Sequence, residues 1–131
     1  MSFLSLTNSL FILMSLRRQQ KVNSLLQETL SEIFQKHGVS LYGRAFVTIT
    51  EVRITPDLLI AKIYISIYNV TDKESTLDVI KSNTHEIRRH LGNTMRHHLR
   101  KIPELLFYLD ESLENALRIN ELLKDTGKSK G

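Results

Sequence analysis

Ten residues, Leu59 to Tyr68, alternate between two faces without interruption. Leu59, Ala61, Ile63, Ile65 and Ile67 fall on one side, and Ile60, Lys62, Tyr64, Ser66 and Tyr68 on the other. A period of two over this length is the pattern of a half-covered β-strand. The turn sequence Thr55-Pro56-Asp57 stands just before it. Upstream of that turn, Ala45 to Ile54 is rich in Val, Ile, Thr and Phe. Its alternation slips from Val47 and Ile49 to Val52 and Ile54, which predicts a bulge near Thr50-Glu51. The two runs together predict a hairpin.

Helical patterns flank the hairpin. Between Leu16 and Lys36, Val22, Leu25, Leu26, Thr29, Leu30, Ile33 and Phe34 recur every three or four residues and make one apolar face. His37-Gly38 is the expected stop. After a loop at 69–75, Thr76 to Lys101 is helical in pattern, with Leu77, Ile80, Thr84, Ile87, Leu91, Met95 and Leu99 as its apolar stripe. On a straight helix Lys81, His85, Arg89, Gly92, Arg96 and Arg100 would form a second stripe. The apolar stripe drifts by Leu99, so a break is expected near Gly92-Asn93. Pro103 ends the helical run. Glu104 to Leu109 has the length of a short strand, and Asp110 or Ser112 caps a last helix expected to bury Leu113, Leu117, Ile119, Leu122 and Leu123. Residues 124–131 read as a disordered polar tail. Residues 1–15 read as an apolar extension outside the fold, with an anchor or targeting segment as the less favoured reading; the run is too short and interrupted to span a bilayer. One domain over 16–123 fits a chain of 131 residues.

Charge is concentrated. Lys81 to Lys101 holds six of the 18 Lys+Arg residues, four of the five histidines and one acid, Glu86, for a formal +5. The whole chain is +4, so the remainder sums to −1. A near-neutral body with one basic element attracts a polyanion, whose phosphates it neutralises with release of counterions. An ordinary solvated helix face interleaves Glu with Lys, and this one does not. The candidate RNA-binding residues are Lys81, His85, Arg88, Arg89, Arg96, Arg100 and Lys101, with Arg17, Arg18 and Lys21 as additions from the first helix. Tyr64 and Tyr68, beside Lys62 on one strand face, are either base-stacking groups or ordinary strand tyrosines.

Several classes of chemistry lack their residues. With no cysteine there are no disulfides, thiolate metal sites or cysteine nucleophiles. Neither G-x-x-x-x-G-K nor G-x-G-x-x-G nor G-x-S-x-G occurs. His85 and His90 stand five apart and His97 and His98 are adjacent, spacings that do not suit zinc on a helix. No catalytic residue, cofactor or metal is therefore expected.

The residues also carry a resemblance. Val47-Thr-Ile-Thr-Glu-Val52 leads to Pro56-Asp57-Leu58 and Ala61-Lys-Ile-Tyr-Ile-Ser66; Ile87-Arg88 leads to Leu91-Gly92, Met95-Arg96 and Ile102-Pro-Glu-Leu105; Phe107-Tyr-Leu-Asp110 continues into Ser112-Leu113. Across about Leu16 to Leu123 this resembles the ribosome-binding factor A family, and the P-E-L-x-F-x-x-D-x-S-L run from Pro103 to Leu113 is its most specific part. The resemblance implies an α+β, KH type II-like domain (α-β-β-α-α-β) with a C-terminal helix. It implies a cytoplasmic, monomeric assembly factor that binds 16S rRNA on the free 30S subunit. Such a factor supports late maturation, 16S rRNA 5′-end processing and growth in the cold, without catalysis and without membrane. The family carries an Ala-x-Gly kink between two helices, where this chain has Asn83-Thr84-His85. Either the kink forms there without Ala and Gly, or the break moves to Gly92-Asn93. Two rival readings are a protein-interaction module of KH-like fold with an acidic partner, and an RNA-processing enzyme.

Overall fold

A computed structural model of the chain describes the backbone of residues 2–129 and the side chains of 9–112 and 115–123. The hairpin forms as the alternation requires. Strand β1 (Phe46–Ile54) runs antiparallel to β2 (Ile60–Tyr68), with Phe46 opposite Tyr68 and Ile54 opposite Ala61. The register slips between Ile49 and Glu51, at the expected bulge. The turn is held by the Thr55 amide donating to Ile60 O at 2.9 Å and the Leu59 amide donating to Asp57 Oδ1 at 3.1 Å. Leu59, expected on the buried side, instead belongs to the turn and is exposed.

Strand β3 (Glu104–Leu109) adds parallel to β2, giving the order β1-β2-β3. A parallel neighbour needs a crossover, and helices α2 (Lys73–Ser82) and α3 (Thr84–Met95) supply it. Helix α1 (Ser2–Tyr42) packs on β1, α2 on β3, and α3 on α1. The three helices cover one sheet face. Between the layers lie Leu26, Leu30, Phe34, Ile63, Ile65, Ile67, Ile80, Ile87, Leu91, Met95 and Phe107, all buried. This is the α-β-β-α-α-β order expected, followed by α4 (Ser112–Ser129).

Three expectations change. First, α1 does not stop at His37-Gly38. One more apolar turn, with Leu41 buried, carries it to Tyr42. Tyr42 Oη donates to Phe34 O at 3.2 Å, lying against the bare backbone of Gly38, where a Cβ would sit 2.5 Å from that oxygen. The true stop is Gly43, whose φ of 81° only glycine adopts freely and whose amide donates to Val39 O at 3.0 Å. At the other end, α1 continues to Ser2 with Leu10, Phe11, Ile12, Leu13, Met14 and Leu16 exposed, and the first buried side chain among those described is Val22.

Second, of the two places left open for the break in the second helical run, Asn83-His85 and Gly92-Asn93, the chain breaks at Asn83, and α3 ends at Met95 rather than near Lys101. Leu99 stays buried because the chain leaves the helix at that point: the amides of His98 and Leu99 both donate to Met95 O. Third, α4 does not bury its apolar side. Leu117, Ile119, Leu122 and Leu123 are exposed. Leu113 lies outside the described side chains. Helical backbone continues to Ser129 where a disordered tail is expected from 124, and residues 130 and 131 lie outside the described residues.

Candidate nucleic-acid interface

The site begins with the break. Asn83 closes α2, its amide donating to Ile80 O at 3.1 Å and Val79 O at 3.2 Å. Its side-chain nitrogen donates to Leu41 O at 2.6 Å, satisfying a carbonyl that the end of α1 would otherwise leave unpaired. Asn83 therefore turns the chain and pins the turn to α1. Thr84 Oγ1 donates to Lys81 O at 2.7 Å across the joint. No Ala or Gly is needed, because a φ of −99° is open to any L-residue and the Asn83 side chain supplies its own anchor.

From there α3 runs antiparallel to α1. Asn83 lies by Leu41, His90 stacks on His37, and Asn93 and Thr94 share a small groove with Thr29, Glu32 and Ile33. Ile87, Leu91 and Met95 are buried and set the rotation of α3 about its axis. Arg88 and Arg89 between them, and Arg96 just after Met95, are turned outward.

All ten candidate residues are exposed: Lys81, His85, Arg88, Arg89, Arg96, Arg100, Lys101, Arg17, Arg18 and Lys21. They do not form the single helical stripe that a straight helix would give. Lys81 ends α2, while His85, Arg88 and Arg89 ride the first half of α3. Arg96 is the residue after Met95, and Arg100 and Lys101 lie on the link into β3. The link is brought back to α3 by Arg88, whose Nη2 donates to Ile102 O at 3.0 Å. Ile102 Cγ1 also lies 3.6 Å from where a Cβ on Gly92 would be. The fold thus gathers Arg88 with Arg100 and Lys101. Arg17, Arg18 and Lys21 stand on α1 beside Gln19 and Asn23, which hold the end of β1: Gln19 Nε2 donates to Ile54 O and the Ile54 amide to Asn23 Oδ1.

Electrostatics separate these cations further. Arg89 pairs with Glu86 at 3.0 Å, and that guanidinium holds the Glu86 carboxyl below the usual range. Arg88 is spent partly on Ile102. Lys81, His85, Arg96, Arg100 and Lys101 make no ion pair or side-chain hydrogen bond among the described residues. They retain their full field for an outside anion.

The strand tyrosines are elsewhere. Tyr64 stacks with Tyr108 at 5.5 Å between centroids and lies under Arg53, while Tyr68 pairs with Phe46 at 6.4 Å. This is the sheet face opposite the helices, so they do not join the α3 cations. Sequence reasoning also missed the His37–His90 stack. Its two members lie 53 positions apart, and only the tertiary crossing of α1 and α3 brings them together. Among the described residues no cluster of three metal-binding side chains occurs, and no helix is long and apolar enough to cross a membrane.

Residues 18–123 match the family profile described as ribosome-binding factor A. The chain belongs to the ribosome-binding factor A family. It is 42% identical over 106 residues to ribosome-binding factor A of Cytophaga hutchinsonii, spanning 81% of this chain and 80% of that one. It is 44% identical over 110 residues to the Prosthecochloris aestuarii protein of the same name, spanning 82% and 88%. A crystal structure of ribosome-binding factor A from Thermus thermophilus shares the fold at a TM-score of 0.58 and 19% identity, covering 70% of this chain and 94% of that chain. A homology model of the Thermus thermophilus factor, fitted into an electron-microscopy map of a 30S complex of the factor, gives 0.55 at 19% identity over 68% and 91%. The family profile begins at residue 18, so Arg18 and Lys21 lie within the matched span and Arg17 just before it.

Proposed function

We propose that this chain binds the small ribosomal subunit during its assembly, gripping 16S rRNA through Lys81, His85, Arg88, Arg89, Arg96, Arg100 and Lys101, with Arg17, Arg18 and Lys21 as a secondary contact. The observation that carries the reading is the set of five exposed cationic or titratable side chains without an intramolecular partner on the α2–α3–link segment, against a remainder of −1. Membership of a family named for ribosome binding, and the 30S complex of the Thermus thermophilus relative, support the same partner. The role is positional: the cations neutralise phosphates, and sequence preference comes from RNA shape and unpaired bases. The factor acts as a cytoplasmic monomer and supports late maturation and 5′-end processing without itself cleaving. The domain that does this spans 16–123, with 1–15 and 124–131 as appendages.

A salt titration of binding to purified 30S subunits tests the reading. Several phosphate contacts predict a log–log slope of at least roughly −2. A flat response would favour a protein partner on the subunit. Cleavage of precursor rRNA by the purified chain alone, with or without divalent metal, would overturn the non-catalytic role.

A further inference from the structure

One further cavity is lined by none of the candidate RNA-binding cations. It is an open groove of about 480 Å³ between the last turns of α1 and the outer edge of β1. Phe34, Ile49 and Val47 line it from the sheet and core side; Ser31, Gln35, Gly38, Val39 and Tyr42 line it from the helix. Spacings of three and four residues put the last group along one flank of α1. Two of its members are small, and Gly38 is the place where Tyr42 folds flat against the helix instead of projecting across the groove. Val39 is 79% exposed and Phe46 65% exposed, so apolar surface stands open at both walls.

The strand wall has its own unmet requirement. Among the described residues β1 pairs only with β2, and apart from Ile54, whose amide and carbonyl are taken by Asn23 and Gln19, its other edge carries no strand. Edge strands are ordinarily blunted by Pro, by inward charges or by a bulge. Here the bulge at Ile49/Glu51 disturbs only the second half, and Phe46, Val47, Thr48 and Ile49 form a regular stretch with neither Pro nor charge. A free edge beside a helix, over an apolar floor, suits an added strand: the backbone gives affinity and alternate side chains enter the groove. Arg44 lines the groove where β1 begins, exposed and without an ion pair among the described residues.

We propose that this groove docks an extended peptide segment of another protein, added as a fourth strand on β1, with alternating apolar side chains and an acidic residue that meets Arg44. One cation among mainly apolar and aromatic lining fits a peptide better than a polyanion. The site is distinct from the α3 cations and does not depend on their role.

The test selects random dodecapeptides displayed on phage against the full chain, with Ser31→Trp as counter-target. Ser31 is exposed and lines the groove, so a Trp there fills it without entering the core. The synthetic form of the most enriched peptide is then titrated by NMR against wild type, Ser31→Trp and Arg44→Glu. Expected are alternating apolar peptides carrying Asp or Glu, amide shifts confined to 31–49, binding at least roughly tenfold weaker in both variants, and unchanged melting of both. Three results would overturn the proposal: no enrichment over Ser31→Trp, the same amide shifts produced by a uridine dodecamer in place of peptide, or wild-type chain dimerising through β1. If Ser31→Trp melts early, Arg44→Glu alone decides, and unaltered peptide affinity in it refutes the charge match.

Discussion

His37 on α1 and His90 on α3 lie ring on ring, 4.0 Å between centroids and 16° from parallel. The pair holds the helix that carries the cations against the helix that carries the core. Burial, then His37 and Arg89, push His90 below the ordinary histidine pKa, while Glu86 pulls the other way. The folded chain therefore takes up the His90 proton less readily than the unfolded chain. Stability from this group is complete above about pH 6.5 and declines as pH falls from there toward the depressed folded value. Melting temperature should drop between pH 7.5 and 5.5, and His90→Gln should flatten that drop. Lys36, Glu32, Glu86 and Arg89 remain in the variant, so a slope that persists unchanged would show that His90 does not carry the pH response.

Asn83 joins α1, α2 and α3 through one side chain. Asn83→Ala leaves the Leu41 carbonyl without its donor, and should cost roughly 1–3 kcal/mol in urea denaturation. Asn83→Asp replaces a donor with an acceptor facing that carbonyl and should be at least as damaging. Full stability in both would show that the joint is held by packing alone.

Ile87 and Leu91 are fully buried beneath the helix that presents Arg88 and Arg89. Either residue changed to Ala should destabilise by roughly 2–5 kcal/mol. Binding to 30S subunits should survive at temperatures where the variant is still folded, because the cations themselves are intact.

Much of this was readable because local pattern and final environment agree. Ile63, Ile65 and Ile67 alternate in sequence and are buried in the sheet; Pro103 closes the link after α3 and β3 starts at the next residue. Where they disagree, the deciding contact is distant in sequence. Gly38 looks like a helix stop until Tyr42 is seen packed on it. Gly92 looks like a break until Asn83 is seen holding Leu41, 42 positions away. Leu117, Ile119 and Leu123 look like a buried stripe, yet all three stand exposed on α4. The candidate site was legible as composition, but not as geometry. The Glu86–Arg89 pair follows from i,i+3 spacing once a helix is assumed, but nothing in the residue order reveals that Arg88 reaches Ile102.

That distinction separates the arginines. Arg88→Ala should lose both stability, because Ile102 O loses its donor, and subunit affinity. Arg96→Ala should lose affinity alone, and its salt slope should be shallower by a little under one. Identical melting and identical affinity losses in the two variants would contradict the assignment.

The central claim is tested most directly by sedimenting cell lysate through a gradient and probing for the chain, wild type beside Arg96→Glu/Arg100→Glu/Lys101→Glu. The account predicts wild type with free 30S subunits and absent from translating ribosomes, and the triple variant at the top of the gradient with an unchanged melting curve. A folded triple variant that still travels with 30S subunits would contradict it.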